Sequence, residues 1–397
     1  MNLSGKYKND QEFIIKSDEF LSQFEKKEII FWGKGRMIVP LLRYADALNI
    51  KYIVDSNKNL HGTDFLDYKI LSPERLINED KQNTRIIIMP NNSQYREISK
   101  ELLKAGYDKN CFCTSRDFFT AYSYFKKNKI VLPNLEFIIT TVCSLKCKHC
   151  IAQVPYLNEY KSYIMPFKEV RKNIDNVFKA IDYIGIFHLT TGEVLLHPEL
   201  DKIIEYISEN YRDKYNELTF VTNGTLLPDE KLLKALQKHI GSIQISHYVH
   251  PDILKFLKVD NLRSLFNEYG IKHFFNSFAT GAQEVRWNDI GDLSLPKNRS
   301  ERENEELYLN CSMRMYKCMF ADKIYPCTAS CSVYTGGINE LSPGKERVDY
   351  VKTTDNPIDI VKFFLQATTY DQPHICGYCN GVGSYINDKL IPAGEQL

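Results

Sequence analysis

The sequence predicts an α/β chain built in three parts. A small parallel sheet with helices on both faces is expected over 1–122. A larger series of βα units, forming a full or partial α/β barrel, is expected over 134–300, and a cysteine-rich extension over 301–397. Three observations carry that reading. Apolar runs of strand length alternate with stretches of helical spacing, first on a small scale and then on a larger one. Cys143, Cys147 and Cys150 fall within eight residues, directly after the apolar run 135–142, where a buried strand should give way to a loop. Six more of the eleven cysteines gather late in the chain.

In the first part, 28–32 reads as a buried strand running into Gly33-Lys34-Gly35, followed by a helix over 38–48. A second strand over 50–55 ends in Asp55. A third covers 84–90, and a helix over 98–105 closes at Gly106. Gly33 and Gly35 allow a tight turn at a helix N-terminus, a place where phosphate can sit. Asp55 lies near the spacing at which an acid meets a ribose, but Ile38 stands where the third glycine of that fingerprint belongs. With the strand end Val54-Asp55-Ser56-Asn57 and the stretch 70–76, the segment resembles the small Rossmann-like domains attached to enzymes of sugar and surface-polymer biosynthesis. A structural or partner-docking role is the leading reading of this segment, and the resemblance makes binding of a nucleotide or nucleotide sugar the alternative. Cys111 and Cys113 read as plain thiols near the end of this part. The Lys- and Tyr-rich stretch 122–133 reads as a connection.

The middle part repeats the alternation. Helical spacing over 167–184 puts Val170, Ile174, Val177 and Ile181 on one face. Strands are expected over 184–190, 217–222, 242–246 and 271–276, and helices over 197–207, 228–239 and 261–269. In such units the active site gathers at the C-terminal strand ends. That rule brings Thr191-Gly192-Glu193, Asn223 and Ser246 to the side of the three-cysteine loop. His247 and His250 read as loop histidines without a catalytic role. The segment Trp287-Asn288-Asp289-Ile290-Gly291 reads as packing or substrate contact.

Three close thiolates can each hold one iron of a [4Fe–4S] cube and leave the fourth iron open. Structural zinc asks for four ligands, usually in paired spacings, and His149 could complete a set only by bending back beside Cys150. The C-x3-C-x2-C spacing, with the planar ring of His149 before the last cysteine, resembles the signature of the radical SAM family. The resemblance implies that the open iron chelates the amino and carboxylate groups of S-adenosylmethionine. An electron from the cluster then releases a 5′-deoxyadenosyl radical that abstracts a hydrogen atom. Thr191-Gly192-Glu193 resembles the family's GGE motif with Thr191 in place of the first glycine, and Val221-Thr222-Asn223-Gly224 resembles its TNG strand end. The implied roles are catalytic for Cys143, Cys147 and Cys150, and cofactor-binding for His149, Gly192, Glu193, Asn223 and Ser246.

In the last part, 300–306 reads as a solvated helix start and Ala321–Cys327 as a hairpin turn and strand. Cys311, Cys318, Cys327 and Cys331 surround that hairpin, and Cys376-Gly377-Tyr378-Cys379 forms a C-x2-C loop with Gly381 and Gly383 behind it. Glycines there let backbone N–H groups approach cluster sulfur. The arrangement resembles the SPASM and Twitch extensions of radical SAM enzymes, with Asp322 at the usual glycine of the turn. It implies one auxiliary [4Fe–4S] cluster on Cys311 or Cys318, with Cys327, Cys376 and Cys379; Cys311 fits the family's long first gap. A structural zinc ribbon is the alternative.

A net charge of +1 gives no field for nucleic acid or anionic membrane, and no apolar run is long enough to span a bilayer. Eleven cysteines without the apolar core of a signal peptide point to a reducing cytoplasm. The resulting expectation is a cytoplasmic radical SAM enzyme of oxidoreductase type. It would take electrons from a flavodoxin or ferredoxin and relay one through the auxiliary cluster. Its substrate would be a sugar, nucleotide sugar or polymer precursor, with a ribosomally made peptide as the competitor. A non-catalytic Fe–S or zinc carrier or scaffold is the rival of another class.

Overall fold

The computed structural model describes residues 3, 5–35, 38–89, 92–276, 286–338, 350–368, 372–383 and 387–397. The chain forms two compact units, Met1–Pro133 with Asn356–Asp371, and Asn134–Asp355 with Gln372–Leu397. A stretch of the cysteine-rich third part therefore belongs to the first unit.

In the first unit, short apolar runs form the strands of a helix-covered parallel sheet; the central runs 28–32 and 84–88 and the run 112–114 are buried almost throughout, whereas 49–54 and 68–71 are partly exposed. The strands are β1 (Glu28–Trp32), β2 (Asn49–Val54), β3 (Tyr68–Leu71), β4 (Thr84–Ile88) and β5 (Phe112–Thr114). All run parallel in the order β3-β2-β1-β4-β5, with Asp64–Phe65 antiparallel at one edge. The helices are α1 (Asp10–Ser22), α2 (Ile38–Leu42), α3 (Asn92–Lys104) and α4 (Ser115–Lys127), and the later helix Pro357–Leu365 packs on α4. Gly33, at φ 100°, turns the chain out of β1, and Asp55 closes the turn by accepting from Lys34 N and Asn57 N, each at 2.8 Å.

Three expectations need correction here. The helix expected over 38–48 stops at Leu42, where tight bonds from Tyr44 N to Leu41 O and from Ala45 N to Leu42 O close it. Cys113 lies in a strand, β5, that was not anticipated, and burial pushes its thiol well above the usual range. The expected connection 122–133 is the end of α4, a left-handed cap at Asn128 (φ 52°), and the start of the next strand. Arg36 and Met37, beyond the glycine turn, and Pro90, the last residue of the expected third strand, lie outside the described residues.

The second unit runs β6 (Val131–Ile138), α5 (Phe167–Ala180), β7 (Tyr183–Thr190), α6 (Leu200–Tyr211), β8 (Tyr215–Thr222), α7 (Glu230–His239), β9 (Ser242–Ser246), α8 (Val259–Glu268) and β10 (His273–Asn276). It continues with β11 (Arg286–Asn288), α9 (Glu301–Asn310), β12 (Cys318–Phe320), β13 (Lys323–Tyr325), α10 (Thr328–Gly336), β14 (Val351–Lys352) and β15 (Leu390–Pro392). Local chemistry sets several helix starts. Asp229 accepts from Leu232 N ahead of α7, and Ser300 with Glu303 makes a reciprocal capping box at α9.

The main sheet has the order β10-β9-β8-β7-β6-β12-β13-β14. Strands β7 to β10 run parallel, β12 adds to β6 in parallel, and the hairpin β12–β13 and then β14 extend it antiparallel. The sheet stays open, so among the described residues the full-barrel alternative does not form. The positive φ of the hairpin falls on Ala321 (53°), one residue before the expected Asp322. Strands β11 and β15 pair as a separate antiparallel ribbon.

The sheet core is aromatic. Phe187 on β7 is fully buried, stacks on Phe137 at 6.2 Å and meets Phe178 of α5 edge-on at 5.4 Å. Replacing Phe187 by Ala should lower stability by about 3–5 kcal/mol, through lost apolar burial and the cavity left behind. Denaturant titration of the variant checks this; a loss below about 1 kcal/mol would contradict the packing.

Candidate functional site

The three-cysteine loop leaves the end of β6 and is held from behind by the end of β7. Ile139 N donates to Thr190 O at 2.8 Å, and Glu193 N donates to Val142 O at 2.7 Å. Between these bonds Gly192 comes so close that an added Cβ would lie 2.2 Å from Val142 O. Only glycine permits this approach. Glu193 follows, with no exposed surface; its carboxylate accepts from Leu195 N at 3.0 Å and Asn223 N at 2.7 Å. Burial pushes this carboxyl up to about 7, against the pull of those N–H groups.

Asn223 passes the brace on to the loop. Its amide donates to Ser144 Oγ at 3.0 Å and lies 3.6 Å from Cys143 Sγ. Its oxygen accepts from Thr225 N and Thr225 Oγ1 at 3.0 and 2.7 Å. Ser144 Oγ and Thr225 Oγ1 share a further bond of 2.6 Å. Both donors and both lone pairs of this amide are thereby used. The motif residues Gly192, Glu193 and Asn223 thus meet directly behind Cys143.

The three thiols share one small apolar cluster with Leu145, Tyr248, Ile253, Leu257 and Trp287. Burial pushes the Cys143 thiol up to about 12 and Cys147 to about 11, and raises Cys150, with the neighbouring thiols adding to the first two shifts. Without metal these groups are protonated, and binding must displace their protons. Backbone N–H groups already point at sulfur: that of Leu145 at Cys143, and those of Ala152, Gln153 and Val154 at Cys150. Ser246, at the end of β9, is bonded to the buried Tyr248 hydroxyl. His149 sits between carboxylates, with Nδ1 3.4 Å from Asp289 Oδ1 and Nε2 3.5 Å from Glu395 Oε2. His250 caps the short helix Pro251–Leu254 through Nδ1, and His247 packs on Phe275.

The second group of thiols lies in the same unit. Cys311 ends α9, Cys327 caps α10, and Cys376 and Cys379 share one tight turn. Burial raises the thiols of Cys311, Cys327 and Cys379, and Cys311 lies close enough to Cys327 and Cys379 to add to their shifts, with Cys379 pushed up to about 12. Each accepts a backbone N–H: Val382 on Cys311 at 3.4 Å, Ser330 on Cys327 at 3.4 Å, and Gly381 on Cys379 at 3.2 Å. The Arg299 guanidinium bonds the carbonyls of Cys376 and Cys379. Cys318 is turned elsewhere, fully buried beside Cys331.

Among the described residues, no three His, Cys, Asp or Glu side chains close on a single metal ion. A cube asks for a wider arrangement, one thiolate per iron. In both cysteine groups N–H donors are aimed at sulfur, as a site that holds thiolates requires. Sequence reasoning missed Ser144, Thr225, Tyr248, Arg299 and Gln396 as parts of these surroundings. Ser144 and Thr225 adjoin recognised motifs and were within reach of it. Gln396 lies 249 residues from its partner Cys147, with no local signal.

Residues 137–262 match the family model described as Radical SAM superfamily, a stretch that holds the three loop thiols, His149, Gly192, Glu193, Asn223 and Ser246. Over 138 residues the chain is 30% identical to an uncharacterized protein of Methanocaldococcus jannaschii, covering 32% of this chain and 46% of that one. Over 99 residues it is 30% identical to GTP 3′,8-cyclase of Campylobacter jejuni subsp. doylei, covering 24% of this chain and 28% of that one. The chain thus spans less than half the length of these curated relatives. Among solved structures, BtrN in complex with AdoMet and 2-DOIA aligns over 66% of this chain and all of that one, at 14% identity and a TM-score of 0.41. Among the described residues, no helix is long and apolar enough to cross a membrane.

Two outcomes test this geometry. Gly192→Ala should force Val142 and Cys143 apart, lowering stability by about 2 kcal/mol or more and reducing iron uptake; an unchanged melting curve and iron content would contradict the close approach. Glu136 on β6 accepts from Thr328 Oγ1 at 2.7 Å, and burial pushes its carboxyl up to about 7. A raised carboxyl supports the fold below its unfolded value and loses that support as pH climbs through its folded value. Glu136→Gln, which resembles the protonated acid, should therefore match the wild type near pH 5 and exceed it near pH 8, by up to about 3 kcal/mol. Chemical denaturation of the metal-free protein at both pH values checks it; equal stability at pH 8 would count against the buried acid.

Proposed function

We propose that this chain holds a [4Fe–4S] cluster on Cys143, Cys147 and Cys150, cleaves S-adenosylmethionine reductively, and takes a hydrogen atom from a sugar, nucleotide sugar or polymer precursor. The observation that carries this reading is the group of three thiols on a loop braced by Glu193 and Asn223, inside the stretch that matches the radical SAM model. A cluster bound there supplies one electron and one iron without a protein ligand.

The chain's own residues do the rest. Glu193 and Asn223 fix the loop, the Asn223 and Gln396 amides reach Cys143 and Cys147, and Tyr248, Ile253 and Trp287 keep water from one side of the thiols. His149, Gly192, Glu193, Asn223 and Ser246 form the surroundings in which the cofactor is read to bind. In this reading Glu193 and Asn223 act at least as much by holding strand ends as by touching the cofactor.

A second cluster on Cys311, Cys327, Cys376 and Cys379, relaying an electron, is part of the proposal. The N–H donors on three of these sulfurs support it, and the burial of Cys318 beside Cys331 favours Cys311 as the first ligand. The parallel order β3-β2-β1-β4-β5 supports a Rossmann-like reading of the first unit, since doubly wound nucleotide-binding sheets use it. Asp55, the expected ribose ligand, is engaged by Lys34 and Asn57. Likeness to an enzyme named for GTP leans the substrate towards a small nucleotide-bearing molecule rather than a peptide. Electrons would come from a flavodoxin or ferredoxin, in a cytoplasmic setting.

Anaerobic reconstitution tests the proposal. The expected outcome is about eight irons per chain and release of 5′-deoxyadenosine that requires reductant. Cys147→Ala should abolish the release, whereas joint replacement of Cys376 and Cys379 by Ala should bring iron to about four and keep it. Bound zinc without release would reject the reading and favour a carrier or scaffold.

A further inference from the structure

Residues 393–397 lie along the three-cysteine loop, joined to it by a single antiparallel bridge. Leu397 N donates to Lys146 O and Lys148 N to Glu395 O, each at 2.9 Å, and Cys147 pairs with Gln396 as an antiparallel bridge. Side chains reinforce the pairing. Lys146 N donates to Gln396 Oε1 at 2.8 Å, and Lys148 Nζ reaches Glu395 Oε1 at 2.9 Å. The strap is anchored at its start, where Ala393 is fully buried and its carbonyl accepts from Val249 N and His250 N, each at 3.1 Å. Gly394 follows at φ 98°, where a Cβ would lie 2.8 Å from the Tyr248 ring. The crossing is therefore a built contact on both sides.

One bond in this strap is aimed at chemistry. Gln396 Nε2 donates to Cys147 Sγ at 3.2 Å, and Cys147 is only 7% exposed. The same amide splits its duties: its oxygen clamps the loop backbone, and its nitrogen donates both to the sulfur and to Gly394 O, the latter at 2.8 Å. A donor on a ligand sulfur stabilises the more negative, reduced state of an iron–sulfur cluster and so raises its potential. We propose that Gln396 is a positioning residue for the site, which holds Cys147 in place and sets the reduction potential of the cluster through its N–H···S bond. The inference rests on the cluster reading above.

The carboxylate of Gln396→Glu can still accept from Lys146 N but cannot donate to sulfur or to Gly394 O; Gln396→Ala removes all three contacts without adding charge. The measurement is a potentiometric EPR titration of the reconstituted full chain. It follows the reduced-cluster signal that a Cys143→Ala, Cys147→Ala, Cys150→Ala variant lacks. The expected result is wild-type iron content in Gln396→Glu and a midpoint potential shifted to more negative values in both Gln396 variants. An unchanged potential in every variant that retains iron would overturn the inference and leave the cluster reading standing. Loss of iron in both, with the circular dichroism of the wild type, would reduce Gln396 to a structural clamp and overturn the tuning role. Absence of that signal from the wild type would remove both readings together.

Discussion

A buried carboxylate tied to two backbone N–H groups is the contact on which the site depends. Glu193 has no exposed surface, so its two oxygens must find donors inside the protein. They find Leu195 N and Asn223 N, which joins the end of β7 to the end of β8. Asn223 then reaches forward to Ser144 and Cys143, and Gly192 lets the whole assembly close against Val142. The thiols are thus positioned from the ends of two neighbouring strands, although they sit on a loop.

The second dependency is the segment around β11. Trp287 packs edge-on against Tyr248 beside the first thiol group, and Asp289 faces His149 and Lys389. One residue either side, the same segment holds the C-x2-C loop. Asn288 Oδ1 accepts from Gly383 N at 3.1 Å, and Ile290 O accepts from Asn380 N at 2.9 Å. Gly291, at φ 79°, turns away where a Cβ would strike Asn380. The choice left open for Trp287–Gly291 between packing and substrate contact thus leans to packing. The segment therefore makes contacts on both sides, with the first cysteine group and with the C-x2-C loop of the second.

Much of this was legible in the amino-acid order, for physical reasons. Strands β1, β7, β8 and β9 are apolar runs bounded by glycine or polar ends, and period and composition suffice to find them. The three-cysteine loop and the Thr191-Gly192-Glu193 and Asn223-Gly224 strand ends are local signals. Other features depend on contacts distant in sequence. The short β5 carries too few residues for a period, and α4 hides its boundary behind the left-handed Asn128. The return of Pro357–Leu365 to the first unit, and the reach of Gln396 to Cys147, join residues hundreds of positions apart. Openness of the sheet is likewise a property of pairing: β6 takes β12 as its second neighbour, a choice no single strand records.

The central claim is that Cys143, Cys147 and Cys150 leave one iron open to S-adenosylmethionine. Mössbauer spectra of the chain loaded with enriched iron, carrying Cys376→Ala and Cys379→Ala so that only the first group is filled, test it most directly. The account predicts that about one iron in four changes its signature when S-adenosylmethionine is added. Spectra in which every iron keeps the same signature with and without it would contradict the account.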